Sequence, residues 1–174
     1  MDVNNAHWIV ARKELLGKKV LEVGSQIVAG QEAIALRNFI QPLCEEYIGL
    51  DMAQYNGVDV VADAKNMPFE SNSFDTVISL DALEHVDWPR DVVRECARVL
   101  KPGGHFFLAT VFSFPIHEFP WDFWRFTPEC LSMLIRDAGL EIWGDLTPSE
   151  SCTKTQSHVL ANPTVVRVIG VKPK

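Results

Sequence analysis

A chain of 174 residues with 47% hydrophobic and 22% charged side chains lies near the globular average and is long enough to bury one core without disulfides or structural metal. Sixteen Lys and Arg against twenty-three Asp and Glu leave a formal charge of -7, the wrong sign for a surface that neutralises phosphates, so nucleic acid is not an expected partner. No apolar run reaches the roughly 20 residues of a membrane-crossing helix, and Met1-Asp2-Val3-Asn4-Asn5 lacks the basic start and apolar stretch of an export signal, so a cytoplasmic protein is expected. Cys44, Cys96, Cys130 and Cys152 are far apart and show no C-x-x-C spacing, which argues for reduced thiols rather than a zinc knuckle or redox pair.

In chain order, residues 1–17 hold Trp8, Ile9, Leu15 and Leu16 and predict one modest amphipathic helix. Residues 19–24 read as a buried strand. Residues 31–43 place Ala33, Ile34, Leu36, Phe39, Ile40 and Leu43 at helical intervals. Further strands are predicted over 47–51, 58–63 and 74–80, each ending on or just before a polar residue. Pro89 suits a first helical position, and Val92, Val93, Cys96, Ala97, Val99 and Leu100 form the stripe of a helix that Pro102-Gly103-Gly104 stops. A fifth strand follows over 105–111. Thr127-Pro128-Glu129 signals the N-terminus of a helix through Leu131, Leu134, Ile135 and Ala138, closed by Gly139. Residues 140–143 and 165–171 supply two more strands. The alternation predicts one α/β domain over 1–174, a mostly parallel, doubly wound sheet of seven strands with helices on both faces, whose ligand sits beyond the carboxyl ends of the strands.

Val20-Leu21-Glu22-Val23-Gly24-Ser25 at the first strand end resembles the signature of class I S-adenosylmethionine-dependent methyltransferases, in particular the small-molecule branch that includes ubiquinone-pathway enzymes. Asp51 after Gly49-Leu50, Asp63-Ala64 leading to Met67-Pro68-Phe69, residues 79–86, and residues 98–104 match further family elements in register. The resemblance runs from about residue 18 to residue 139 and implies a Rossmann-like fold, S-adenosylmethionine as cofactor and S-adenosylhomocysteine as product. It also implies a cofactor site of Glu22, Gly24, Ser25, Asp51, Met52, Asp63, Ala64 and Leu80. Glu22 would hold the methionine ammonium end, Asp51 the ribose hydroxyls and Asp63 the adenine amino group. One departure stands out: the family usually places two more glycines soon after the first, whereas Gln26-Ile27-Val28-Ala29 intervene here before Gly30.

His85, an imidazole at the crevice mouth, is the expected general base for a hydroxyl acceptor, weighed against a histidine bonded to backbone. Asp81, Glu84 and His85 are similar to a divalent-metal stretch of ubiquinone-pathway O-methyltransferases, with Asp in place of Glu; no metal is assigned. Residues 112–127 form an aromatic loop, with six Phe and Trp from Phe114 to Phe126 and His117, Glu118, Asp122 and Arg125 interleaved. It resembles a segment of methyltransferases associated with bacterial cell-surface glycans. His117, Trp121, Trp124 and Arg125 are the expected acceptor-binding residues, the aromatics stacking and Arg125 gripping an anion; the alternative is a lid in which Arg125 pairs with Asp122 or Glu118. A hydroxyl- or carboxyl-bearing small molecule, such as a sugar, is the expected acceptor, and a homodimer is left open. Two rivals stand. A nicotinamide-dependent dehydrogenase lacks support, without G-x-G-x-x-G or Tyr-x-x-x-Lys. A methyltransferase-like non-catalytic subunit or regulator is consistent with the altered glycine turn.

Overall fold

The structure is a computed structural model that describes residues 3–117, 121–144 and 165–174. The elements run α1 (Val3–Val10), β1 (Lys19–Val23), α2 (Leu36–Ile40), β2 (Glu46–Asp51), β3 (Val60–Val61), β4 (Phe74–Leu80), α3 (Pro89–Val99), β5 (Leu100–Val111), α4 (Pro128–Asp137), β6 (Glu141–Ile142) and β7 (Val165–Val171). Seven strands form one sheet in the order β3-β2-β1-β4-β5-β7-β6. The pairs from β3 to β5 are parallel, and β7 enters antiparallel between β5 and β6. The mostly parallel, doubly wound sheet is as expected.

Both faces of the sheet are covered, and the strand period of two explains how. Leu21, Val23, Val77, Phe106 and Leu108 point into one core with Val92, Val93 and Cys96 of α3 and Leu131, Leu134 and Ile135 of α4. Val20, Ile78, Leu80, Phe107 and Ala109 point into the other, with Ala6 and Ile9 of α1 and Leu36 and Ile40 of α2. Near-continuous apolar runs are what strands buried on both sides require.

Helix signals held where capping chemistry was clear. Pro89 stands in the first turn of α3. Thr127 Oγ1 accepts from the Cys130 amide at 3.2 Å to cap α4, and Gly139 follows with φ +78°.

Four expectations need correction. The stretch 31–43 is a 3₁₀ turn at Glu32–Ile34, the five residues of α2, and a second 3₁₀ turn at Gln41–Leu43 that contains Pro42. The apolar spacing was read properly, but proline and the extended Ala35 backbone cut the helix into pieces. The amino-terminal segment is likewise α1 plus a separate 3₁₀ turn at Lys13–Leu15. The strand over 58–63 shrinks to Val60 and Val61 at the sheet edge. Pro102-Gly103-Gly104 does follow α3, but within β5, whose register against β4 shifts between Phe74 and Thr76. Cys44, Cys96 and Cys130 are free thiols; Cys152 lies outside the described residues.

Candidate active site

The chain turns from β1 toward β2 and β3 in one direction and toward β4 and β5 in the other, so a crevice opens where β1 and β4 diverge. It encloses about 850 Å³, within the range of small-molecule sites, and is lined at the strand ends by Glu22, Gly24, Ser25, Asp51, Asp63 and Leu80. Gly24 has φ +83°, and a Cβ there would stand 2.5 Å from the Ala82 Cβ. Both conditions demand glycine at the point where the backbone runs closest to the crevice floor. The turn beyond it lacks the further glycines, yet Gln26, Ile27 and Val28 line the crevice. Asp51 shapes that turn: its Oδ2 accepts from the Gln26 amide at 3.1 Å and its Oδ1 from the Met52 amide at 2.7 Å. Each carboxylate oxygen retains a lone pair for a ligand hydroxyl.

Glu22 is buried, accepts a 2.6 Å hydrogen bond from the Tyr47 hydroxyl, and has its pKa pushed up to about 7 by burial, against the pull of Tyr47 and Arg37. A carboxylate so short of solvation is a strong partner for a cation brought into the crevice. Ser25 Oγ and Ser79 Oγ are buried along the same wall without hydrogen-bond partners. Two orphaned hydroxyls, a glycine at positive φ and a desolvated carboxylate together fit a polar, cationic nucleoside cofactor rather than an apolar ligand.

The other end of the crevice is made by the turn after β4 and the aromatic loop. Glu84 is fully buried; its Oε2 accepts from Thr110 Oγ1 at 2.7 Å, Oε1 has no hydrogen-bond partner, and burial raises its pKa. His85 Nδ1 lies 2.5 Å from the Trp121 carbonyl, and the rings of His85 and His117 meet edge to face at 4.8 Å. The loop is fastened to this turn by Phe123 N on the Glu84 carbonyl at 2.8 Å and by Trp124 Nε1 on the Val86 carbonyl at 2.9 Å. Among the described residues, Glu84, His85 and His117 form a group able to hold a metal ion, with ligand atoms all within 4.8 Å of one another.

The eight residues expected at the cofactor all line the crevice, and so do His85, His117 and Trp121. Trp124 and Arg125 do not. Arg125 commits its guanidinium to the loop itself, with Nε on Phe114 O, one terminal nitrogen on Asp122 Oδ1 and Trp124 O, and the other on Asp122 Oδ2 and Pro115 O. The bidentate grip expected of it is therefore made on Asp122, whose side chain is 3% exposed and whose pKa this contact holds far below the usual carboxylate range. Glu118, the other expected partner, lies outside the described residues. Sequence reasoning left out Ser79, Phe114 and Phe123 of the lining, and Tyr47 behind Glu22. Tyr47 could be read only as a polar aromatic at the start of an apolar strand; its place beside β1, opposite Val20, comes from the strand pairing.

The profile described as a methyltransferase domain matches residues 21–108, half of the chain. With the sheet order and the crevice just described, the chain belongs to this methyltransferase domain family, the class I enzymes whose cofactor is S-adenosylmethionine. Ubiquinone biosynthesis O-methyltransferase of Pseudomonas putida (strain GB-1) is 35% identical over 123 residues, covering 60% of this chain and 49% of that protein. The chain thus spans about half the length of the curated relatives it matches. Burkholderia thailandensis 1,6-didemethyltoxoflavin-N1-methyltransferase, solved with 1,6-didemethyltoxoflavin and S-adenosylhomocysteine, superimposes with TM-score 0.70 at 15% identity over 99% of this chain and 78% of that one. A methyltransferase from Haloferax volcanii, solved with the Trm112 methyltransferase activator, has TM-score 0.62 at 23% identity, covering 99% and 92% of the two chains. At these identities the two structures speak for the fold alone. Among the described residues no helix is long and apolar enough to cross a membrane.

Proposed function

We propose that the chain transfers the methyl group of S-adenosylmethionine to a small-molecule acceptor bearing a hydroxyl or carboxyl group. The observation that carries this reading is the crevice at the β1–β4 divergence, with acids at successive strand ends and two orphaned serine hydroxyls between them. Glu22 takes the ammonium end of the cofactor, Asp51 the ribose, Asp63 and Ala64 the adenine side, and Gly24 and Ser25 let the backbone approach between them. Leu80 and Met52 supply apolar lining.

When bound, the cofactor supplies a sulfonium methyl group poised for in-line displacement. The chain's part is to align the acceptor, exclude water and take a proton where the acceptor is a hydroxyl. Phe114, Trp121 and Phe123 line the crevice on the loop side and offer apolar faces to an acceptor. The Trp121 carbonyl can only accept, so the proton of neutral His85 sits on Nδ1 and its Nε2 keeps a lone pair. That lone pair, beside His117 and Glu84, is the basic corner of the site. The curated relatives are named O-methyltransferases, which favours a hydroxyl acceptor.

The test is calorimetric titration with S-adenosylhomocysteine. The wild-type chain binds it, and Asp51→Asn, which keeps an acceptor oxygen for only one of the Gln26 and Met52 amides, weakens binding by about tenfold or more, in line with ~1.5–3 kcal/mol for a charge-assisted hydrogen bond. Absence of binding to the wild-type chain would remove this reading and leave a non-catalytic member of the family.

A further inference from the structure

At its loop end the crevice is short of positive charge. Asp81, Glu84 and Asp87 line it there, and among its described lining residues the Lys and Arg side chains are Arg37 and Lys65. Arg37 is paired with Asp59, and Lys65 with Asp87 at 2.7 Å and Asp63 at 3.8 Å. Arg125 is turned into its own loop. Lone pairs meet at this end without a donor. The Trp121 carbonyl holds the His85 proton on Nδ1, and the Pro115 carbonyl at 3.2 Å and Asp122 Oδ2 at 3.3 Å do the same for His117. Both Nε2 atoms are therefore bare in the neutral rings, and each lies 4.0 Å from Glu84 Oε1, which is fully buried and has no hydrogen-bond partner. A carboxylate oxygen so placed is unfavourable until a cationic donor reaches it.

We propose that the acceptor is a cationic amino alcohol, whose ammonium sits on Glu84 Oε1 and His117 Nε2 while its reacting hydroxyl, one or two carbons away, meets His85 Nε2. This rests on the methyl-transfer reading above and narrows the acceptor from hydroxyl- or carboxyl-bearing molecules to one charge class. An –NH₃⁺ group has three donors and no acceptor, the complement of a corner that offers only acceptors. Held at about 2.8–2.9 Å from two of them, it keeps those two ~4–4.7 Å apart, and Glu84 Oε1 and His117 Nε2 already stand at 4.0 Å. Charge assigns the two histidines. His117 has a carboxylate at each ring nitrogen, Glu84 at Nε2 and Asp122 at Nδ1, whereas His85 is backed by the neutral Trp121 carbonyl and keeps its lone pair for a hydroxyl proton. In the transfer that proton passes to His85 Nε2, the oxygen–carbon bond forms as the sulfur–carbon bond breaks, and the ammonium is unchanged. Phe114, Trp121 and Phe123 line the same end with their side chains partly exposed, and aromatic faces attract a cation as well as stacking on the skeleton that carries it. A carboxylate in this seat would face Glu84 with like charge.

Three probes that share a phenyl ring and a benzylic hydroxyl, and differ only in the neighbouring group, decide the matter: 2-amino-1-phenylethanol, 1-phenyl-1,2-ethanediol and mandelate. Calorimetric titration into the full chain saturated with S-adenosylhomocysteine, at about pH 7.5, should rank them in that order, with at least roughly tenfold between the amine and the diol. Glu84→Gln keeps the volume and an oxygen for Thr110, and should bring the amine within about twofold of the diol. His117→Ala, half-buried on the loop and clear of the core, should lower the preference for the amine at least roughly threefold, with circular dichroism showing each variant folded. An amine that binds no tighter than the diol or not at all, mandelate as the tightest of the three, or an unchanged preference in either folded variant would each overturn the proposal. Uptake of S-adenosylhomocysteine alone reports on the methyl-transfer reading, so its failure is told apart from a failure of the amine seat, which leaves cofactor binding intact.

Discussion

Glu22 shows how one residue type at a strand end acquires a function from its surroundings. An exposed glutamate there would simply be ionised, but burial between β1 and β2 lifts its pKa from 4.5 to about 7, against the opposing pull of the hydrogen bond it accepts from Tyr47. Arg37 also pulls it down, while Asp51 and Asp59 add to the rise. Because the folded chain holds this proton more tightly than the unfolded chain, the contribution to stability is full below about pH 4.5 and is lost as the pH rises through about 7. Glu22→Gln escapes that loss. Denaturation curves should show the variant gaining on wild type between pH 4.5 and 8, by ~3 kcal/mol at most. A cation placed beside Glu22 reverses the shift, so S-adenosylhomocysteine should bind more tightly as the pH rises to about 7, with proton release at pH 6 in wild type and not in Glu22→Gln. Calorimetry in buffers of different ionisation enthalpy measures that release; equal values in both proteins would place the ammonium group elsewhere. Gly24→Val is a poor probe of the same site, because its Cβ would collide with Ala82 before any ligand arrived.

The aromatic loop is the element whose role changed most between sequence and structure. Its composition pointed to a binding surface, and Trp121, Phe114 and Phe123 do line the crevice, but its cation and anion serve to shape the loop. Arg125 joins Asp122 to three carbonyls of the same segment, Phe114, Pro115 and Trp124. Asp122 in turn receives the His117 amide at 2.7 Å. This makes Arg125 a positioning residue, acting on the acceptor through Trp121 and His117. Arg125→Ala leaves the Asp122 carboxylate with the His117 amide as its remaining donor and should cost ~1–3 kcal/mol in urea denaturation, with altered tryptophan emission. Arg125→Lys keeps the charge but not the fork, and should recover only part of it. Loss of acceptor affinity in Arg125→Ala should then be the same for charged and uncharged acceptors; a loss confined to anionic ones would show direct contact instead.

Across the whole molecule, the chain's amino end is tied to the crevice floor and to the last strand. Asn5, fully buried in α1, donates to Asp81 at the end of β4 and accepts from Arg167 Nε of β7 at 2.8 Å. Trp8 adds an edge contact with Phe107 at 5.5 Å and lies under the guanidinium groups of Arg12 and Arg167. Residues 162 positions apart thus share one buried amide next to the cofactor crevice. Asn5→Leu keeps the volume but removes both hydrogen bonds. It should lower unfolding free energy by ~1–3 kcal/mol and weaken S-adenosylhomocysteine as Asp81 loses its tether, measured by denaturation and titration of the same protein. Unchanged cofactor affinity would confine α1 to packing.

Order and type of the elements were legible in the sequence because they rest on local rules. Buried parallel strands write themselves as apolar runs, α3 as a stripe after Pro89, and α4 as a Thr127 cap closed by Gly139. The family resemblance then named the residues that line the crevice, since motifs at strand ends keep their place when the strands pair. What the sequence could not decide was whatever depends on neighbours distant along the chain. Helical spacing over 31–43 did not reveal that the segment would break around Ala35 and Pro42, and an edge strand over 58–63 had too few partners to extend beyond two residues. The aromatic loop advertised Arg125 and His117 alike as ligand-facing. Only folding showed that Asp122 and three loop carbonyls take up the guanidinium of the first, while the second lies 4.0 Å from a buried Glu84 oxygen that lacks a partner. Local pattern specifies which side chains are available, and tertiary packing decides which of their hydrogen-bonding groups are already spent, because a buried donor or acceptor must be satisfied by whatever the fold brings next to it.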